Sequence, residues 1–362
     1  MGGTNAAAAG RRYRRARRLN DSERGVVAVV GTLLALLVFF ALFGIFLTQY
    51  VPLWMVDNES QFTAEAAASF AELKSNLDLQ YAIGGPVSFG TPFTLTSNGV
   101  PLIAAATQGT LTFIPTNCPP QTIGGVSTAF YTSAYHPGGT RIGQPIVPTD
   151  CQFANVTIGY GPGGQGTPYY QEITTGTINM ILPNRYYSAQ EFEFEDDGVI
   201  QAQYGGYQIM AFPPPLNVST LAGNTTVTTS LLNLYGNATS VVGQQSQEVF
   251  TTLRYAQPVT SNGRFYSSNS TYRPTNFTFE IGTQFPCAWY SYLTNVMKTS
   301  GLTNTTQYAI TQAGSTNPPT PLTCSNFSGA TTIVELSIFS FTVNYATVFY
   351  AGAQLSLGVG GS

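Results

Sequence analysis

The residues best equipped for chemistry lie in one run, Glu191-Phe192-Glu193-Phe194-Glu195-Asp196-Asp197-Gly198. Read as a strand, its alternation puts Glu191, Glu193 and Glu195 on one face and Phe192 and Phe194 on the other. Carboxylates gathered this way, with Asp196 and Asp197 beside them, suit Ca²⁺, a hard cation that takes about six to eight oxygens. The plainer reading is a solvated outer strand face ending in an Asp-Asp-Gly turn, and it is preferred. Glycoside hydrolysis needs an acid set opposite a nucleophile, and nothing in the spacing positions such a pair. The single histidine, His136, sits in Ala134-Tyr135-His136-Pro137-Gly138-Gly139 and reads as a loop residue rather than a base. Gly161-Pro162-Gly163-Gly164-Gln165-Gly166 lacks the Lys-Ser/Thr of a phosphate loop. The expectation is a chain with no catalytic residue and no cofactor.

Four cysteines, Cys118, Cys151, Cys287 and Cys324, form an even set. In an oxidising compartment that number predicts two disulfides, and three connectivities are open. Near-neighbour pairing would place one bridge in each half of the chain. A metal site is the weaker alternative, since no Cys-x-x-Cys exists. Asn-x-Ser/Thr sequons stand at Asn58, Asn155, Asn217, Asn224, Asn237, Asn269, Asn276, Asn304 and Asn326. Together they predict a glycosylated surface.

The element that positions all of these is an apolar stretch near the start. From Gly25 to Val56 no side chain is charged, and Val26 to Tyr50 is almost wholly aliphatic or aromatic. About 20 such residues suffice to cross a bilayer as a helix. Arg11, Arg12, Arg14, Arg15, Arg17, Arg18 and Arg24 precede it. That excess predicts a cytoplasmic N-terminus and an extracellular remainder. Pro52 is expected to kink or end the first helical segment. Asn58 then reads as the N-cap of a second helix, with Gln61 in capping-box position. Phe62, Ala66, Phe70, Leu73 and Leu77 recur on one face, while Glu59, Glu65, Glu72 and Lys74 point elsewhere. That stripe needs a sheet to cover, and Gly84-Gly85-Pro86 stops the helix.

From about Val87 the period shortens to strand-like runs broken by Gly, Pro and Asn. Pro213-Pro214-Pro215 reads as a stiff joint between two β layers or domains. Phe285-Pro286 predicts the start of a helix reaching to about Lys298, and Thr299 to Ser325 reads as loop. The end of the chain, from Thr331, reads as one or two long strands rather than a second span, because Glu335, Asn344 and Gln354 interrupt it. The fold class is therefore α+β, mostly β. A transmembrane helix continues into an amphipathic helix and then an antiparallel sheet or sandwich head, in one or two layers or domains. The expected divisions are a basic leader 1–25, the span 26–55, the amphipathic helix 56–83, and β regions 84–215 and 216–362.

Composition agrees with this division. Charged residues make up 9 % of the chain and aromatics 13 %, which fits a folded β body rather than a disordered one. After the span, seven Lys/Arg face fifteen Asp/Glu, a net of −8. An acidic head of this kind has no footprint for nucleic acid. The expected partner is the lipid bilayer.

A basic leader, an apolar helix, an amphipathic continuation and a β-rich head, in that order, resemble a type IV pilin. The likeness is to archaeal pilin-like surface proteins in particular. Arg24-Gly25 followed by Val26-Val27-Ala28 resembles a class III signal junction, which implies a prepilin-type peptidase cutting between Gly25 and Val26. Short segments similar to archaeal envelope proteins of this build are Tyr50–Glu59 with Phe70–Lys74, Gly109–Phe113, Asn184–Tyr187 with Gly198–Ile200, Leu231–Gly236, and Phe285–Trp289 with Tyr292. The resemblance implies a structural or adhesive surface protein whose partners are like subunits or a cell-surface layer. Assembling pilins carry Glu at the fifth residue of the mature helix, where this chain has Val30. A rival expectation is therefore an uncleaved single-span envelope protein with a carbohydrate- or Ca²⁺-binding β head.

Overall fold

The computed structural model describes residues 27–84, 87–100, 103–115, 122–123, 126–127, 153–160, 169–203, 206–221, 224–243, 246–258, 274–312, 332–338 and 343–359. The described residues up to Asp57, with Gly99–Ala105, form one compact unit, and those from Asn58 onward form the other.

Helix α1 spans Val27–Ile83 and includes one stretch long and apolar enough to cross a membrane. Side chains along that stretch are exposed, with Leu33, Leu37 and Phe40 more than half accessible. Pro52 neither ends α1 nor stands in a regular turn. It has no N–H, and its ring crowds the carbonyl four residues back. The helix widens into a π turn over Phe46–Tyr50, where the N–H of Val51 bonds the carbonyl of Phe46, five residues back. Beyond the turn α1 runs unbroken through Asn58, so the capping box at Asn58 and Gln61 is not formed. An N-cap needs a non-helical residue, and here the preceding turn is already helical.

Within the second unit the apolar period is borne out. Phe62, Ala66, Phe70, Leu73 and Leu77 are all buried, at 3 % exposure or less. Gly84 closes α1 in a left-handed conformation, φ +67°, that a side chain would strain. Its N–H reaches the carbonyl of Gln80 at 3.0 Å.

The strands follow in chain order. They are β1 Ser88–Phe93, β2 Thr110–Ile114, β3 Thr122–Ile123, β4 Val126–Ser127, β5 Phe153–Tyr160, β6 Tyr169–Thr174, β7 Thr177–Leu182, β8 Gln190–Glu195, β9 Gly198–Gln203 and β10 Tyr207–Phe212. Next come β11 Asn217–Leu221, β12 Asn224–Gly236, β13 Thr239–Val242, β14 Gln247–Pro258 and β15 Pro274–Thr283. Helix α2, Pro286–Thr299, precedes β16 Tyr308–Gln312, β17 Thr332–Ile338 and β18 Val343–Val359. Strand β16 lies inside the stretch expected to be loop. The end of the chain is strand, as its polar interruptions predicted.

Three sheets and the small β3–β4 hairpin result, in the orders β1-β14-β18-β12-β11, β10-β9-β8-β7-β2-β13 and β16-β17-β15-β5-β6. Neighbours are antiparallel apart from β12 and β18, which run parallel. Each large sheet mixes strands from both sides of Pro213–Pro215. The expected boundary between residues 84–215 and 216–362 is therefore corrected. Backbone hydrogen bonds join the two stretches, so they form one β body.

The six-stranded sheet carries a core on each of its faces. On one, Phe192, Phe194 and Val199 join the α1 stripe with Phe93, Leu111 and Val249. Phe70 stands between Phe93 and Phe192, at ring-centre distances of 5.1 and 5.7 Å. On the other, Ile200 and Ala202 join Trp289, Leu293 and Met297 of α2 with Phe279 and Leu336 of the third sheet. Helix α2 begins, as expected, with Pro286 in its first turn. It ends where the N–H of Leu302 turns back to the carbonyl of Met297 at 3.2 Å.

Candidate functional site

A strand in a sheet with two covered faces has no outer side, and this decides the fate of the acidic run. Glu193, Glu195, Asp196 and Asp197 are all buried, at 6 % exposure or less. The solvated face expected for this strand is therefore corrected. Alternation holds, since Phe192 and Phe194 enter the α1 core. Glu195, however, meets α2 and the third sheet instead of water.

Each carboxyl is met by protein groups. Asn179 on β7 donates to Glu191 at 2.6 Å and to Glu193 at 3.0 Å. Glu195 accepts from the hydroxyl of Thr283 at 2.5 Å and from the indole N–H of Trp289. Burial, with the neighbouring Glu193, raises the Glu195 carboxyl well above the ordinary range, against the pull of those two donors. Its hydrogen bonds fix the first turn of α2 against β8.

Asp196 and Asp197 form the two-residue turn between β8 and β9, both with positive φ, 44° and 62°. That is the geometry that matches strand twist in a tight hairpin, and Asp tolerates it better than most residues. The N–H of Leu232 donates to Asp196 at 3.2 Å. Lys74 of α1 lies 3.4 Å from Asp197 and 3.2 Å from Asp78. Burial pushes Asp196 up to about 8, the Leu232 N–H opposing it and Asp197 adding to it. Burial likewise pushes Asp197 up to about 7, restrained by Lys74 and aided by Asp78. Among the described residues no three His, Cys, Asp or Glu side chains are placed to hold a metal ion. Glu195 instead joins the sheet to α2 and Asp197 joins it to α1, Asp196 meets β12, and Asn179 holds Glu191 and Glu193 within the sheet.

Sequence reading missed a second carboxylate site. Glu59, expected to point away from the core, is fully buried. Its carboxylate accepts from the hydroxyl of Thr107 at 2.6 Å and from three consecutive backbone N–H groups. These are Arg185 at 3.0 Å, Tyr186 at 2.7 Å and Tyr187 at 2.7 Å. Successive N–H groups curled toward one point form an anion nest. Burial alone would raise the Glu59 carboxyl, but Thr107 and the N–H groups of Tyr187, Arg185 and Tyr186 together bring it below its ordinary value. Asn184 secures the same loop, donating to Thr63 at 3.2 Å and to the carbonyl of Ser188 at 3.1 Å. Glu59 and Asn184–Tyr187 belong to two of the short segments that carried the family resemblance. That was the one signal available for the site.

The other candidates are scattered. Cys287 lies half-buried in the first turn of α2. Cys118, Cys151, Cys324, His136, Gly25 and Val26 fall outside the described residues, as do Asn269 and Asn326. Asn217, Asn237 and Asn304 are exposed, whereas Asn155, Asn224 and Asn276 lie in β5, β12 and β15. Asn58 is in the middle of α1, and its side-chain nitrogen donates to the carbonyl of Asn98 at 2.9 Å. That nitrogen is the one a glycan would take.

Two predictions follow from these carboxyls. Glu59→Ala leaves three N–H groups and a hydroxyl without their acceptor and lowers stability by about 3 kcal/mol, read by chemical denaturation. The pH dependence has two limbs. Asp196 and Asp197 hold protons in the fold that they release when unfolded. Their contribution is fully present below about pH 3.8 and is lost as pH rises through about 7 and 8. The loss is as much as about 4 kcal/mol for Asp197. Glu59 acts oppositely, contributing above its ordinary value and losing that contribution as acid protonates it. Thermal unfolding across pH should peak on the acid side of neutrality. Asp196→Asn with Asp197→Asn should flatten the alkaline limb. Comparison with protein-family models, with curated proteins and with solved structures finds no match to this chain.

Proposed function

We propose that the chain is a membrane-anchored surface protein of pilin-like build, structural or adhesive rather than catalytic. The observation that carries this reading is α1. One helix has an uncharged, exposed apolar stretch before Asp57 and, from Phe62, a stripe buried in a β body. Exposed aliphatic and aromatic side chains over that length are unfavourable in water and favourable in hydrocarbon. Trp54 and Tyr50, both about half exposed near the end of the stretch, suit an interfacial belt. The arginines before the span favour a cytoplasmic N-terminus and an extracellular body. Asn217, Asn237 and Asn304 are then exposed where glycans are added.

A second reading, a fixed single-span anchor, is favoured by one residue. Val30 stands where a subunit-docking carboxylate is expected of an assembling pilin, and it is 55 % exposed. N-terminal sequencing and intact-mass measurement of protein extracted from membranes separate the two. A chain beginning at Val26 and recovered in sheared filaments supports the pilin-like subunit. A chain retaining Arg11 to Arg24 assigns the fixed anchor. Full-length protein released from cells without detergent overturns both.

A further inference from the structure

We propose that Lys74 and Asp197 condense into an isopeptide bond, an amide between Lys74 Nζ and Asp197 Cγ, with Asp78 as the proton acceptor. Lys74, Asp78 and Asp197 all belong to the unit from Asn58 onward, so the site does not depend on the membrane-anchored reading. Phe70, Lys74 and Asp78 follow at four-residue spacing along one face of α1, and Phe70 is fully buried. Lys74 Nζ lies 3.4 Å from Asp197 Oδ1 and 3.2 Å from each oxygen of Asp78. The Lys74 and Asp197 side chains are 12 % and 8 % exposed, against 51 % for Asp78. Asp197 Oδ1 is enclosed and accepts no hydrogen bond among the described residues. Two charges buried in this way lack the donors that offset desolvation, and a neutral amide in their place removes that cost.

The geometry also supplies what the step needs. Asp197 sits in the two-residue turn between β8 and β9, whose flanking residues Glu195 and Gly198 pair, so its carboxyl is held in place. Groups kept at contact distance react without the entropy loss of an encounter. Attack on a carboxyl requires its neutral form, and burial pushes Asp197 up to about 7. Asp78, half exposed, takes one proton from the Lys74 ammonium. The freed amine attacks Asp197 Cγ, the N–C bond forms and the C–OH bond breaks. The second proton lost by Nζ joins the departing hydroxyl, which leaves as water, and Asp78 returns its proton to solvent. No oxidant, reductant or other co-reactant enters the balance. The product ties α1 covalently to the β8–β9 turn. Once linked, Asp197 no longer titrates. The alkaline limb described above is that of the unlinked chain, and in the linked chain Asp196 alone carries it.

Peptide mapping by mass spectrometry of the full chain, folded at neutral pH and then digested under denaturing conditions, tests the proposal. Expected is one branched peptide joining the segments around Lys74 and Asp197, lighter than their sum by one water, with tryptic cleavage after Lys74 lost. Lys74→Arg, which keeps the charge, should yield the two segments separately. Asp78→Asn, at a half-exposed position, should leave most of the chain unlinked. Recovery of both segments unlinked from the folded wild-type chain overturns the bond. Loss of one water confined to the peptide holding Asp197-Gly198 is a succinimide, formed when the Gly198 nitrogen attacks the same carboxyl, and overturns it too. Full linkage in Asp78→Asn overturns the role of Asp78.

Discussion

The carboxylate of Glu59 is the contact on which the seating of α1 in the β body depends. A charged group can be buried only when donors replace the water it loses. Here the donors are three backbone N–H groups in sequence and one hydroxyl. Backbone donors are fixed by chain geometry, so the match sets both the rotation of α1 and the conformation of the loop. One turn further on, Phe62 begins the apolar stripe, and Phe70 then locks between Phe93 and Phe192. The polar contact specifies the register, and the apolar stripe supplies most of the stabilisation.

The same logic recurs through the body. Lys74 ties α1 to Asp197, Leu232 ties β12 to Asp196, and Trp289 and Thr283 tie the start of α2 to Glu195. These residues fall within or beside the segments Phe70–Lys74, Leu231–Gly236, Phe285–Trp289 and Gly198–Ile200. The short segments are thus spread along the chain, while many of their contacts converge on one hairpin. A central sheet covered on both faces has no solvated side on which acidic residues can rest. Protein donors meet them there instead.

Much of this architecture is legible in the residues alone. The 3.6-residue period of Phe62, Ala66, Phe70, Leu73 and Leu77 gives the buried face of α1. Pro286 gives the start of α2, and the interruptions at Glu335, Asn344 and Gln354 give strand rather than a second span in β17 and β18. What eludes local reading is whatever depends on distant partners. Asn58 and Gln61 match a capping box, but a cap requires that no helix precede it, and Pro52 induces a π turn instead of a stop. Glu191, Glu193 and Glu195 alternate as an exposed face does, because alternation reports the two faces of a strand without reporting what covers them. Pro213–Pro215 resembles a domain joint, yet pairings such as β1 with β14 and β5 with β15 cross it. The nest around Glu59 needs residues 126 to 128 positions away, beyond the reach of any periodicity.

Helix α1 combines an exposed apolar stretch long enough to cross a membrane with a stripe, from Phe62 onward, that is buried in a protein core. Hydrogen exchange of the full chain in lipid nanodiscs, followed by mass spectrometry along α1, tests it most directly. Slow exchange is predicted for both stretches in lipid. After transfer to lipid-free amphiphile-poor buffer, only residues 59–83 should remain slow. Rapid exchange of residues 27–50 in nanodiscs, or loss of protection from residues 59–83 together with them, would contradict the account.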